Sequence, residues 1–247
     1  MEYLIQTKNI HKSFGGVVAL DGVDFELGDN EVVGLVGDNG AGKSTLIKIL
    51  SGVFPPDEGE IFIRGKKVER GYSVSKAHKL KIETVHQERA LGEMQSMWRN
   101  IFAARQITNR LGFIKVDKAR EETGKLMTET MRFTGGGGSP DSIVGTLSGG
   151  EKQGVTIGRA LYFNADLIIL DEPTMALSIQ ETGKVLDFIR TIKREGKSAI
   201  FISHNIYHVY PVCDRFVLLD RGRVIGEFQK SEVSQEKLVE EMVKATE

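Results

Sequence analysis

A chain of 247 residues with 40% hydrophobic side chains is long enough to bury one large α/β core and too apolar for intrinsic disorder. Its net charge of −1 supplies no global basic field to draw it onto nucleic acid or an anionic membrane surface. Cys213 is the single cysteine, so no internal disulfide forms, a reducing compartment is implied, and the side chain reads as a small buried apolar group.

In chain order, the N-terminal residues Met1 to Lys8 are interrupted by charge at once, which predicts no leader peptide, and no apolar run approaches the ~20 residues of a membrane span. Ile5 to Phe14 and Val17 to Leu27 alternate as strands of an antiparallel sheet. Glu31 to Val36 is a short apolar strand that runs into a glycine-rich loop, and Ser44 to Leu50 reads as the helix after it. Gly59 to Val68 and Glu83 to His86 are further strands. The texture then changes: from Glu88 to Leu147 strand patterning fades, Met94 to Arg105 and Asp117 to Phe133 look helical, and Gly135 to Pro140 is a surface break. Strand and helix alternate again in the last third. Leu167 to Leu170 and Ser198 to Ile202 are apolar runs expected of strands covered on both faces, with a helix over Ile179 to Arg194 between them. Phe216 to Leu219 and Val224 to Glu227 form a hairpin through Asp220-Arg221-Gly222-Arg223, and a helix over Gln235 to Lys244 follows. The expected architecture is α/β: a mostly parallel core, an antiparallel β-subdomain and an inserted helical subdomain, with the core at 1–87 and 161–247 and the insertion at 88–160.

Gly37-Asp38-Asn39-Gly40-Ala41-Gly42-Lys43-Ser44 matches G-x-x-x-x-G-K-[ST] between a strand and a helix. Glycines let backbone N–H groups turn inward onto phosphates, and the helix N-terminus adds partial positive charge. Lys43 is placed to reach the β- and γ-phosphates, the Ser44 hydroxyl to ligate Mg²⁺, and Thr45 to meet the α-phosphate. Taken alone, the motif indicates a nucleoside triphosphate without naming the reaction. Asp171-Glu172 follows an apolar strand, which puts both carboxylates at a strand C-terminal edge, where α/β sheets bind ligands. Beside a phosphate loop, Asp171 is suited to hold Mg²⁺ and Glu172 to orient or deprotonate the attacking water.

Leu147-Ser148-Gly149-Gly150-Glu151-Lys152-Gln153 opens a helix roughly a hundred residues beyond the phosphate loop. By itself it is a well-capped, anion-ready helix start. It resembles the signature sequence of ATP-binding cassette (ABC) proteins, and the remaining motifs fall in that family's order. The resemblance spans Phe14 to Gly226 and implies a P-loop NTPase of the RecA-like class that hydrolyses ATP with Mg²⁺. It implies that Phe14 stacks on adenine, that Gln87 senses Mg²⁺ and water, and that His204 contacts the γ-phosphate. It further implies that Leu147, Ser148, Gly149, Gly150 and Glu151 cap the ATP held by a second copy in a head-to-tail homodimer. Core packing is the lesser alternative for Phe14, and His11, His78, His86 and His208 fall in no motif. For Met97, Trp98, Arg99 and Asn100 two readings stand: packing within the helical region, or the place where the family docks a membrane subunit.

Two features depart from the family pattern. Ser178 stands where many members carry aspartate, and with Glu181 it forms a capping box for the next helix. Gly154 and Gly158 interrupt the signature helix where larger residues are usual, each costing about 1 kcal/mol of helix propensity relative to alanine. Gly37-Asp38-Asn39-Gly40, Val85-His86-Gln87-Glu88 and Ala176-Leu177-Ser178 are similar to single-cassette carbohydrate importers of the ribose, xylose and fructose type. That resemblance implies a peripheral ATPase at the cytoplasmic face of the membrane, integral permease subunits as partners, and indirectly a solute-binding protein, with no nucleic acid. A soluble ABC ATPase acting on ribosomes or nucleic acid, and an exporter ATPase subunit, are the alternatives.

Overall fold

The computed structural model describes residues 3–86, 91–130 and 138–246. Residues 87–90, among them Gln87, residues 131–133 at the end of the helix expected over Asp117 to Phe133, and Gly135 to Gly137 of the expected break lie outside the described residues.

Two sheets organise the chain. In the first, β1 (Ile5–Phe14) pairs antiparallel with β2 (Val17–Leu27) and with β4 (Glu58–Ile63), and β5 (Lys66–Lys67) completes the order β2-β1-β4-β5. The expected strand over Gly59 to Val68 is therefore a hairpin; Arg64 turns it with φ of 48°. The second sheet has the order β10-β9-β3-β8-β7-β6. Here β3 (Val32–Val36), β6 (Ile82–Val85), β7 (Leu167–Asp171), β8 (Ser198–Ile202) and β9 (Arg215–Asp220) run parallel, and β10 (Arg223–Gln229) closes one edge antiparallel to β9.

The apolar runs in these strands are continuous because both faces are covered, and the side chains part by alternation. Val33, Leu35, Leu167, Ile169, Ile200 and Ile202 join one core with the antiparallel sheet and helix α1 (Lys43–Leu50). Val32, Val36, Ile168, Leu170, Ala199 and Phe201 join the other, under the helices of the opposite side. Those helices are α5 (Gly149–Tyr162) and α6 (Ile179–Arg194), each begun by a Ser-x-x-Glu capping box, and α8 (Gln235–Thr246), whose Leu238 is buried. Residue 160 lies inside α5, whose Val155, Ile157 and Ala160 are buried in the core, while Gly154 and Gly158 lie on its buried face.

Between β6 and α5 one helix is shorter than patterning predicts. In place of a helix over Met94 to Arg105 there is α3 (Met97–Ile101) alone. The Asn100 amide accepts from Gly92 N at 2.7 Å and donates to Gly92 O at 3.1 Å and Ser96 O at 3.0 Å, so a side chain closes the turn where helix was expected. Trp98 is 5% exposed, donates from Nε1 to Asp141 Oδ1 at 3.2 Å, and packs with Met97 in the core; of the tetrad, Arg99 alone is exposed. The next helix, α4 (Val116–Lys125), passes into a π-helical turn at Leu126–Thr130. Two short helices, α2 (Val74–Lys79) and α7 (Ile206–Val209), have too few turns to leave a periodic signature.

Candidate functional site

The strand order determines the site. Since β8 lies between β3 and β7, the loops that leave the C-terminal ends of these three neighbours converge at one edge. They form a cleft of about 390 Å³ lined by the loop residues Asn39 to Thr45, by Asp171, Glu172 and His204, and by Val17, Val18 and Ala19 of β2.

The glycine loop is held from outside as well as by its own conformation. Gly42 has φ of 105°, and a Cβ there would lie 2.5 Å from Ala19 O; at Gly37 it would lie 2.1 Å from Leu219 O. The β9–β10 turn braces the loop, with Gly222 N donating to Ala41 O at 3.0 Å and Asp21 N donating to Gly222 O at 2.8 Å. Lys43, 6% exposed, donates to Gly37 O at 2.7 Å and Asp38 O at 2.8 Å. Burial pushes its ammonium below the usual lysine range, against the pull of Glu172, Asp38 and Asp171.

Asp171 ends β7 buried, and its Oδ1 has no hydrogen-bond partner. Burial, and then the neighbouring Glu172 charge, raise its carboxyl above the ordinary aspartate range, opposed by Lys48 and Lys43. An orphaned anionic oxygen sharing a cleft with the Ser44 residue fits a hard cation. Among the described residues no group of three or more His, Cys, Asp or Glu comes together. Ser44 and Asp171 offer oxygen donors, the kind Mg²⁺ accepts when phosphates and water complete its shell.

Glu172 adopts φ of 48°, with its backbone N donating to Ile202 O at 3.0 Å. This left-handed turn carries the carboxylate onto the residues after β8. Oε1 accepts from His204 N at 3.1 Å and meets His204 Nδ1 at 2.8 Å; Oε2 accepts from Ser203 Oγ at 3.1 Å. The Glu172 side chain is 9% exposed and that of His204 is 49% exposed, so the pair has a fixed inner member and an outer member open to the cleft. Ser203 belongs to no motif read from the sequence, although it directly precedes His204. His208 also enters this layer, its Nδ1 lying 3.0 Å from Thr174 Oγ1 and its Nε2 3.3 Å from Asn205 Nδ2, and burial holds its pKa below the ordinary histidine value.

Phe14 lies at the β1–β2 turn, 48% exposed, edge-on to Phe54 with ring centroids 5.4 Å apart and with Lys12 Nζ 5.5 Å from each ring centroid. It pairs in register with Val17, which lines the cleft, but it is not itself a lining residue. Leu147, Ser148, Gly149, Gly150 and Glu151 also stand away from the cleft of their own chain. There the Ser148 hydroxyl accepts from Glu151 N at 3.3 Å, and Glu151 Oε2 accepts from Ser148 N at 2.8 Å.

A glycine loop joining a parallel strand to a helix, with a carboxylate pair one strand beyond its neighbour, defines a P-loop nucleotide-binding protein. A family model described as ABC transporter matches residues 20–175. The chain is 45% identical, over 98% of its length and 94% of the relative's, to a xylose/arabinose import ATP-binding protein of Sulfolobus acidocaldarius. It is 40% identical to a ribose import ATP-binding protein of Caldanaerobacter subterraneus, of which it spans 48%. Among solved structures, a nucleotide-free ATP-binding cassette from an ABC transporter superposes with a TM-score of 0.83 at 26% identity, over 100% of this chain and 98% of that one. A dimeric cassette bound to ADP and Pi superposes with a TM-score of 0.75 at 26% identity, over 92% of this chain and 98% of that one. The chain belongs to the ABC transporter family, as an ATP-binding cassette.

Proposed function

We propose that this cassette hydrolyses ATP to drive sugar import through separate membrane permease subunits, working as a head-to-tail homodimer at the cytoplasmic face of the membrane. The observation that carries the hydrolytic part is the Glu172 carboxylate, held by Ser203 and His204 at the edge of the phosphate-loop cleft. Sugar as cargo is supported by the import proteins of xylose, arabinose and ribose that the chain resembles over nearly its whole length. Separate membrane subunits are in keeping with the absence, among the described residues, of any helix long and apolar enough to cross a membrane. Residues 88–160 form the inserted helical lobe on this reading, and residues 1–87 and 161–247 the core.

In this mechanism ATP phosphates lie along residues 37–45, where the amides of the loop and the N-terminus of α1 meet their charge. The Lys43 ammonium exchanges its loop carbonyls for phosphate oxygens. Ser44, Asp171 and Gln87 would hold Mg²⁺, which would supply neutralisation of phosphate charge. Glu172 accepts the proton of the attacking water, His204 contacts the γ-phosphate from the exposed side, and Phe14 stacks on adenine. Ser148, Gly149 and Gly150 of a second copy complete the site. The test is purification of the wild type and of Glu172→Gln, each with ATP. The variant is expected to form an ATP-dependent dimer with little turnover, and the wild type reconstituted with a sugar permease to hydrolyse ATP faster when transport proceeds. A cassette that hydrolyses no ATP, or one isolated with ribosomes in place of a permease, overturns this reading.

A further inference from the structure

The N-terminus of α5 already holds an anion, and it comes from α6. Gly150 N donates to Glu181 Oε1 at 2.6 Å, and a Cβ on Gly150 would lie 2.7 Å from Glu181 Cγ, so any larger residue would have to push the Glu181 side chain out of this position. The Ser148 hydroxyl oxygen accepts from Glu151 N at 3.3 Å at the same helix start. The other oxygen, Glu181 Oε2, accepts from Ser178 N at 3.0 Å and Ser178 Oγ at 2.9 Å. These three donors hold the Glu181 carboxyl below the ordinary glutamate range, the Ser178 amide being the strongest influence and the Gly150 amide the next. One carboxylate thus bridges two capped helices: one oxygen closes its own cap, and the other occupies the signature.

We propose that Glu181 is a built-in competitor for the signature anion site, which the phosphate of an ATP held by a second copy must displace. This rests on the reading that Ser148 and Gly150 serve a partner's ATP. Gly150 has one N–H, so it cannot serve two anions at full strength, and two anions at one helix N-terminus repel. The displaced carboxylate keeps its two Ser178 donors, so it turns away without giving up the α6 cap. Arrival of phosphate at the signature is thereby linked to the segment between Glu172 and Ser178, where many members of the family carry aspartate in place of Ser178. Glu181 is on this account a positioning residue that sets how much ATP closure requires.

The experiment compares Glu172→Gln with Glu172→Gln/Glu181→Gln, reading the ATP concentration at half-maximal dimerisation by analytical ultracentrifugation. Glutamine still satisfies the capping box but has one acceptor oxygen, so it cannot serve Ser178 N and Gly150 N together. The midpoint should fall about three- to tenfold, the difference between a charge-assisted and a neutral hydrogen bond. Glu181→Asp in the same background, one methylene too short to bridge both helices, should shift it the same way with its cap intact. In the Glu181→Gln single variant, KM for ATP should fall with kcat little changed. A midpoint that is unchanged or raised in both double variants overturns the proposal. Failure of the Glu172→Gln parent to dimerise with ATP overturns the signature reading itself, and this proposal with it.

Discussion

Glu172 and His204 are joined twice: Glu172 Oε1 accepts from the His204 backbone N at 3.1 Å and lies 2.8 Å from its Nδ1. The carboxylate is thus oriented by backbone as well as by a ring that can turn. Replacing Glu172 by Gln keeps shape and removes basicity. Turnover should fall by about 10²–10⁴-fold with nucleotide affinity retained. Steady-state hydrolysis beside equilibrium ATP binding checks this, and wild-type turnover in the variant would remove Glu172 from its role.

Ser203 holds the other oxygen of the same carboxylate, at 3.1 Å. Ser203→Ala leaves Glu172 with its two His204 contacts, so a partial loss is expected: kcat lower by about three- to tenfold, the scale of one hydrogen bond, with KM for ATP unchanged. A loss as deep as that of Glu172→Gln would mean that Ser203 does more than orient.

Lys43 Nζ donates to two loop carbonyls, Gly37 O and Asp38 O, in the same cleft. Lys43→Ala removes the charge that would follow the phosphates, and ATP should bind about 10- to 100-fold more weakly. Titration with a fluorescent ATP analogue measures it.

Asp171 offers a stability test whose sign is fixed by its raised pKa. Above its raised folded value the folded chain holds a buried, ionised Asp171 at full cost; between the unfolded and folded values the cost is only partly developed, and below both the group is neutral in both states and the cost vanishes. Asp171→Asn should therefore be more stable than wild type near neutral pH, by about 1–2 kcal/mol, with the gap closing as pH falls through the raised value toward the unfolded one. Denaturant unfolding of both proteins across that range, without nucleotide, reads the gap. The same substitution should abolish Mg²⁺-dependent hydrolysis.

Arg215 bridges distant parts of the core. Its guanidinium donates to Glu31 Oε1 at 2.8 Å, Glu227 Oε2 at 2.7 Å and Glu26 O at 2.6 Å, with 8% of the side chain exposed. Arg215→Ala leaves Glu31 with only its bond from Gly28 N and frees the Glu26 carbonyl, and should cost about 1–3 kcal/mol, since Glu31 and Glu227 are partly exposed. Denaturant unfolding checks the figure, and a change under 1 kcal/mol would show that water replaces the guanidinium.

What the sequence determined by itself is local. The strands over Ile5–Phe14 and Val17–Leu27, the glycine loop, and the two Ser-x-x-Glu helix starts lie where their residues predict, because torsional preference, capping and alternation act within a few residues. The motif order pointed to the family for the same reason, since each motif is contiguous. The helix expected over Met94 to Arg105 shrank to Met97–Ile101 because the Asn100 side chain took over the bonds of the preceding turn, a competition that apolar spacing does not register. Only the tertiary structure decided the company the site residues keep. Glu172 meets Ser203, and Gly150 meets Glu181, each across a separation of 31 residues, because strand order and helix packing place distant loops at one edge. A capping box can be read from four consecutive residues; that its carboxylate also lies on the neighbouring helix's N-terminus depends on how two helices approach, which no short stretch of chain contains.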